Sequence, residues 1–333
     1  MTRSLVLTTL LAVLVSAGPA HAQLMGPAPA STPAPSATAP APTLRRFAII
    51  ASANDGGQGR AKLRYADSDA RAVADVLQSL GGLSSGDLAL VPSATRTSLH
   101  AAFERLKTSV RGAGRIRREL FVYYSGHSDE EGLLLGGERV PYRELRSWID
   151  EAGADVRIAI LDSCASGAII RLKGGRQAPP FLADLSTDAR GHAFLTASSA
   201  TESAQESERI GAAFFTHYLL SGLRGAADVT RDGRVTLNEA YKFAYDETLR
   251  RTERTAAGPQ HPTYDIQLAG TNDFPMTDVR AGGASLVLDE NVAGRVYVRD
   301  RNGRLLVELR KEPLYPVELG LGPGEYMVSL DAD

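Results

Sequence analysis

Two rhythms of apolar residues run along the chain. Between Leu44 and Asp278, short runs that are apolar on both faces alternate with longer stretches where apolar residues recur every three or four positions; Phe47-Ala48-Ile49-Ile50-Ala51, Leu120-Phe121-Val122-Tyr123-Tyr124 and Ile158-Ala159-Ile160-Leu161 are examples of the first kind. The first rhythm is that of a strand covered on both sides, the second that of a helix with one dry stripe. They predict strands at Arg46–Ala53, Leu88–Pro92, Leu120–Ser125, Arg157–Leu161 and Ala193–Ala197. Helices are predicted at Ser68–Leu80, Ser98–Val110, Tyr142–Glu151, Ala213–Leu223 and Leu237–Glu253, with a short hairpin around Gly136-Gly137. The fold class is α/β, a three-layer sandwich around a mostly parallel sheet.

After Gly282 the pattern becomes all-β. Ala284–Leu288, Gly294–Val298, Arg304–Leu309 and Tyr326–Leu330 are short strands separated by turn signals such as Arg301-Asn302-Gly303 and Gly322-Pro323-Gly324. Residues 283–333 therefore read as a small β-sandwich module, which resembles the carboxypeptidase-regulatory-like and PEGA-type sandwiches. A strand ends almost at Asp333, which leaves open that the sandwich or a further domain continues beyond it.

The N-terminus carries a different message. Arg3, the apolar stretch Leu5–Ala17 and the small-x-small triplet Ala20-His21-Ala22 have the order of a secretory signal, so residues 1–22 are expected to be removed. No cysteine follows the stretch to take a lipid, and no later segment approaches a membrane-spanning length. The expected location is exported, periplasmic or secreted. Residues 23–43 are almost wholly Pro, Ala, Ser and Thr, a spacer with a reach of ~60 Å at about 3.1 Å per residue. Without Arg3 the chain keeps 36 basic and 39 acidic residues, a balance that offers nucleic acid nothing.

Cys164 is the only cysteine among 333 residues. It cannot belong to an internal disulfide, so it is either buried filler or a reactive group. Its strand, Val156–Leu161, delivers it in Asp162-Ser163-Cys164-Ala165-Ser166-Gly167. The strand before it in the sheet ends in Tyr123-Tyr124-Ser125-Gly126-His127, 37 positions upstream. Ligands of open parallel sheets bind at the C-terminal strand edge, and the right-handed crossover rule puts these two strands side by side. An imidazole and a thiol at that edge have the makings of a nucleophile and an acid/base. Taken singly, His127 could equally be an ordinary loop histidine.

These two segments resemble the caspase-like cysteine peptidases of family C14, and among them the bacterial relatives of metacaspases. Leu63-Arg64-Tyr65-Ala66-Asp67-Ser68-Asp69-Ala70 and Leu195-Thr196-Ala197-Ser198 carry the resemblance further, over Arg46 to Asp278. Residues 44–278 are then a peptidase domain with a caspase-like fold. Where metacaspases usually have Gly after the His and His after the Cys, this chain has Ser128 and Ala165, and the Gln-Ala-Cys of true caspases is absent.

The resemblance implies peptide-bond hydrolysis, with Cys164 as nucleophile, His127 as acid/base and the backbone N–H groups of Ser128 and Cys164 as oxyanion donors. No third orienting side chain is assigned. It also implies that Asp69, Ser125 and Asp162 line the pocket for the residue before the cut. Carboxylates there select Arg or Lys and reject Asp. Asp69 as a helix cap and Asp162 as a strand-end acid bonded to amides are the bland readings of the same residues. The basic loop Arg171-Leu172-Lys173-Gly174-Gly175-Arg176-Gln177 is either a self-cleavage site or an ordinary solvated loop.

A second constellation, Asp228 to Glu239, matches a twelve-residue EF-hand loop, with Asp228, Thr230, Asp232, Arg234 (through its carbonyl), Thr236 and Glu239 at the ligand positions. Calcium is thus the one metal the sequence suggests, and the chemistry needs no cofactor. An Asp-Gly turn before a helix capped by Thr236 accounts for much of the same pattern. The loop Gly56-Gly57-Gln58-Gly59-Arg60 lacks a nucleotide-binding spacing and reads as a flexible loop near the cleft. Asp129-Glu130-Glu131 reads as a solvated acidic turn, and His100, His192, His217 and His261 have no zinc spacing. The expected partner is a peptide or protein with a basic residue before the cut; oligomeric state is open. The alternatives are an inactive caspase-fold scaffold and a calcium-dependent adhesion protein of the cell envelope.

Overall fold

Central strands that are apolar on both faces require a helical layer on each side; the central sheet has eight strands, six on its main path and two, Gly132–Leu135 and Glu138–Pro141, forming the expected hairpin around Gly136-Gly137 beside His127 and Ser128. The computed structural model describes residues 11–15, 44–164, 166–171, 190–199, 202–269 and 274–331. In chain order the main path and its helices are β1 (Leu44–Ala53), α1 (Ala66–Ser79), β2 (Leu88–Val91), α2 (Arg96–Gly112), β3 (Arg117–Ser128), α3 (Tyr142–Glu151), β4 (Val156–Asp162), β5 (Arg190–Thr196), α4 (Phe214–Ser221), α5 (Leu237–Thr252) and β6 (Thr263–Ala269). Their spatial order is β6-β5-β4-β3-β1-β2. Strands β1 to β5 are mutually parallel, and β6 closes one edge antiparallel to β5.

The helices take their faces from the sequence. Leu99, Ala102, Phe103, Leu106 and Val110 place one buried stripe on α2, and Thr95 starts the helix with a reciprocal cap to Ser98. With α3, this helix covers one side of the sheet over Phe47, Ile49, Val122 and Leu161. Helices α1, α4 and α5 cover the other side over Ile50, Phe121, Ile158 and Leu195. Burying each such large apolar side chain contributes about 1.5–3 kcal/mol.

Several features depart from the expected elements. The helix expected at Ala213–Leu223 stops at Ser221 and continues as a wider turn, Gly222–Ala226. There Gly225 has φ 116°, and a Cβ would sit 2.1 Å from the Glu318 carbonyl, so only glycine fits. A two-residue hairpin, Glu206–Ser207 against Ala212–Ala213, was not expected. Neither was β6, nor the pair Arg234–Thr236 with Pro275–Asp278.

The C-terminal module packs a sheet against a strand pair. Gly294–Asp300 lies between Leu305–Lys311 and Gly324–Asp331, Leu11–Val15 runs antiparallel along Gly324–Val328, and Ala284–Leu288 pairs with Val317–Leu321. Its core is Leu288, Val296, Val298, Val307, Leu309, Leu319 and Leu321. The expected strands appear, Ala284–Leu288 as expected and the others with bounds shifted by one or two residues, together with the unexpected Val317–Leu321. The spacer at 23–43 lies outside the described residues, as does all but Leu11–Val15 of residues 1–22. So do Leu172–Gln177 of the basic loop, and Ala165. Among the described residues no helix is long and apolar enough to cross a membrane.

Candidate active site

The register of β3 and β4 pairs Ser125 with Asp162. His127 and Cys164 each lie two residues further along their strands, so the sheet delivers both to the same height of its C-terminal edge. They line one narrow cleft with Ser125, Asp162, Glu206 and Ala213. The sequence expectation of adjacent strand ends is met in the fold.

His127 is held on three sides. Its Nε2–H donates to the Ala61 carbonyl at 2.8 Å. A carbonyl can only accept, so Nε2 carries the proton and Nδ1 keeps the lone pair. The Tyr124 hydroxyl donates to the His127 carbonyl at 2.9 Å and to that of Leu134 at 3.1 Å. On the ring face lies Gly56, where a Cβ would stand 2.5 Å from ring carbons. The glycine-rich loop is thus a wall of the imidazole site, and Gly56 has the one side chain short enough for that wall.

The thiol is half-buried, with Sγ 3.9 Å from the Ala204 carbonyl. Its loop is pinned from both sides. Ser128 donates its hydroxyl to the Cys164 carbonyl, and Ser198 donates to that of Ser163 at 3.1 Å. Below, Arg146 of α3 donates to the Ile169 carbonyl from Nε at 3.1 Å and Nη2 at 2.8 Å, at the short helical turn Ala168–Arg171. Burial lowers the pKa of this guanidinium, which stacks 4.0 Å over the Phe194 ring. Ser128, where metacaspases usually have glycine, therefore ties the two strand ends together.

Of the two acids expected in the pocket, both buried, Asp162 lines the cleft and Asp69 does not. Asp162 accepts from the Thr216 N–H at 3.2 Å and from the Thr216 hydroxyl, and Asp69 accepts from the Ala213 N–H at 3.0 Å. Asp69 thus bonds the start of α4, not its own helix. Burial first, then the charge of Asp162 and that of Glu206, push Asp69 well above the usual carboxylate range. Burial raises Asp162 to about 6, against the hydrogen bonds from Thr216. Both shifts disfavour the ionised form, and at Asp69 the neighbouring charge of Asp162 adds to burial.

Several site residues carried no sequence signal. Glu206 stands in the cleft wall, held by the N–H groups of Arg64 at 3.1 Å and Tyr65 at 3.0 Å. No motif surrounds it. The Ala61 carbonyl is backbone and leaves no trace in residue identity. Thr216 had one available clue, a hydroxyl inside the otherwise apolar Phe214-Phe215…Leu219-Leu220.

The EF-hand-like residues are arranged otherwise. Asp228 accepts from Thr230 Oγ1 and the Gly233 N–H, and Asp232 from the Arg234 N–H. Glu239 accepts from the N–H groups of Thr230 and Thr236 and from the Thr236 hydroxyl, closing a reciprocal cap on α5. Among the described residues no three His, Cys, Asp or Glu side chains converge on a common point suited to a metal ion. As arranged, the loop spends its carboxylates on its own backbone.

Comparison with known proteins follows this geometry. Residues 45–269 match the family model of the caspase domain, peptidase C14. No curated protein matches the chain. Among solved structures, caspase-1 from Spodoptera frugiperda is similar at 12% identity and a TM-score of 0.47, over 67% of this chain and 85% of that one. The chain belongs to the caspase-domain family, and that membership supports a cysteine-peptidase-like function acting on protein substrates.

Proposed function

We propose that this caspase-domain protein is a cysteine endopeptidase that cuts after Arg or Lys, with Cys164 as nucleophile and His127 as its acid/base. The observation that carries the reading is the shared cleft, in which the thiol and imidazole stand at one height beside Asp162 and Glu206, with Asp69 behind.

The chemistry follows from the tautomer. Because Nε2–H is committed to Ala61, Nδ1 takes the thiol proton, and the Cys164 sulfur attacks the scissile carbonyl carbon. Backbone N–H groups of Ser128 and Cys164 face the negative charge that develops on oxygen. The imidazolium then gives its proton to the leaving amine, and the acyl-enzyme remains. Water, deprotonated by the same Nδ1, hydrolyses the thioester and returns the thiol.

Specificity comes from charge that the fold leaves uncompensated. Burial raises both acids, helped by the charge of Glu206 and, at Asp69, by that of Asp162, against hydrogen bonds from Thr216 and the Ala213 N–H. A guanidinium or ammonium entering the pocket relieves that repulsion, and a carboxylate adds to it. The cleft is narrow, about 20 Å³, room for one water. Substrate entry therefore moves rim side chains such as Leu63 and Glu206.

Labelling by a peptidyl-Arg chloromethylketone tests the reading. Wild type is expected to label, and Cys164→Ala and His127→Ala are not; an unlabelled wild type favours the inactive scaffold. The reading includes export, on the Arg3–Ala22 pattern, which fractionation of expressing cells checks. It needs no metal, and calcium at the Asp228–Glu239 loop would have to draw Glu239 away from its cap.

A further inference from the structure

A surface helix in the outer layer of a three-layer fold normally keeps one face in water. Helix α4 does not: all eight residues, Phe214 to Ser221, are buried. The cover is the C-terminal module, whose strand Leu305–Lys311 lies along the helix, with Leu305 joining the core of the peptidase domain. Glu308 is the buried centre of this contact, with 0% exposure. It accepts from Tyr218 Oη at 3.2 Å, from Arg295 Nη1 at 2.9 Å and from Arg251 Nη2, and its N–H donates to Ser221 Oγ at 3.2 Å. His217 Nε2 stands 3.8 Å from the same carboxylate. A carboxylate in that position is stabilised only by its partners, so it holds them in one arrangement.

The other side of the helix works for the pocket. The Ala213 N–H at its start and the Thr216 N–H and hydroxyl within it are the donors to Asp69 and Asp162. The module also comes up to Asp69, at a cavity separate from the cleft. Arg304, Leu305 and Leu306 line a cavity of about 40 Å³ together with Ser68, Asp69 and His217.

We propose that Glu308 is a positioning residue of the peptidase site. It clamps α4 so that the Ala213 and Thr216 donors stay on the two pocket acids, and the β-module is thereby a working part of the substrate pocket. The consequence for catalysis rests on the Arg/Lys reading above; the clamping itself does not.

The test uses the full chain, with Glu308→Ala and Glu308→Gln. Hydrogen exchange at the Ala213 and Thr216 amides is expected to speed up about ten-fold in Glu308→Ala, with the β4 amides unchanged. The KM for a peptidyl-Arg substrate should rise about ten-fold, with kcat and the rate of Cys164 alkylation by iodoacetamide within about two-fold of wild type. Glu308→Gln, which keeps an acceptor of the same shape, should recover most of both effects. Unchanged exchange at those two amides, or unchanged KM despite faster exchange, overturns the inference. So does a parallel loss of kcat, alkylation and β4 protection, which marks mere unfolding. Should Glu308→Ala not fold, Arg295→Gln is read the same way: a smaller rise in both quantities supports the clamp, and no rise in either overturns it. A wild type that is alkylated at Cys164 but ignores basic peptides sinks the specificity reading, while the exchange arm still decides the clamp.

Discussion

Asp69, Asp162 and Glu206 come from three segments far apart in the chain, whereas Asp228, Asp232 and Glu239 fall within twelve consecutive positions. Both groups are acidic, and both are hydrogen-bonded. The distant acids are held at the sheet edge and α4, where burial and the charge of Glu206 raise Asp69 and Asp162, and the charge of Asp162 raises Asp69 further. The consecutive acids bond to turn and helix N–H groups of their own loop. Local spacing therefore satisfies carboxylates, while tertiary convergence buries them against the charge of other acids, which the proposed basic side chain of the substrate would relieve. A charge pattern in sequence is a weaker sign of a binding site than charges the fold forces to face one another.

The sharpest way to break that comparison is to neutralise one acid of each kind. Asp162→Asn, which keeps an acceptor for Thr216, should lower kcat/KM for a peptidyl-Arg substrate by roughly 100-fold, and Asp228→Asn by less than about two-fold. Equal effects would erase the distinction. Within the pocket the losses should rank Asp162→Asn, then Glu206→Gln at about ten-fold, then Asp69→Asn. Asp69 comes last because burial and the charge of Asp162 disfavour its ionised form and it does not line the cleft.

The pH dependence sharpens the same point. The folded-state value of Asp162, about 6, lies above that of an unfolded Asp. Folding thus favours the protonated form, and its contribution to stability is present below pH ~4 and lost as pH rises through about 6. Asp162→Asn should therefore melt higher than wild type at pH 7 and lack that fall between pH 4 and 6. In wild type, kcat/KM for the Arg peptide should rise with pH through about 6, as the pocket gains its charge. A flat profile would contradict the charge assignment.

The smallest effect belongs to the loop. Thr236→Ala removes the cap of α5 and should cost about 1 kcal/mol in a denaturant titration, with substrate preference unchanged. Adding calcium to about 1 mM should leave Arg-peptide turnover as it was. A calcium-dependent change in turnover would join the two clusters that the geometry separates.

Much of this was legible before the fold. Strands apolar on both faces, such as Phe47–Ala51 and Ile158–Leu161, can only be central, and their ends placed His127, Ser125, Asp162 and Cys164 on one edge. Asp69, in the first turn of α1, is legible only through the family resemblance of Leu63–Ala70. The hairpin at Glu206 has strands of two residues, too short for any period, so Glu206 was invisible. The Ala61 carbonyl has no side chain to betray it. Strand β6 does alternate, Tyr264, Ile266 and Leu268 against Asp265 and Gln267, but it is an edge strand reversed against its neighbours. The cover over α4 was written in Phe214–Leu220, apolar nearly all round, yet what covers a helix is a tertiary fact.

One comparison tests the central claim most directly: kcat/KM for two peptides identical except for Arg or Asp before the cut, measured with wild type and with Cys164→Ala. The account predicts turnover of the Arg peptide at least about 100-fold above the Asp peptide, abolished in Cys164→Ala. Preference for the Asp peptide, or turnover that survives loss of the thiol, would contradict it.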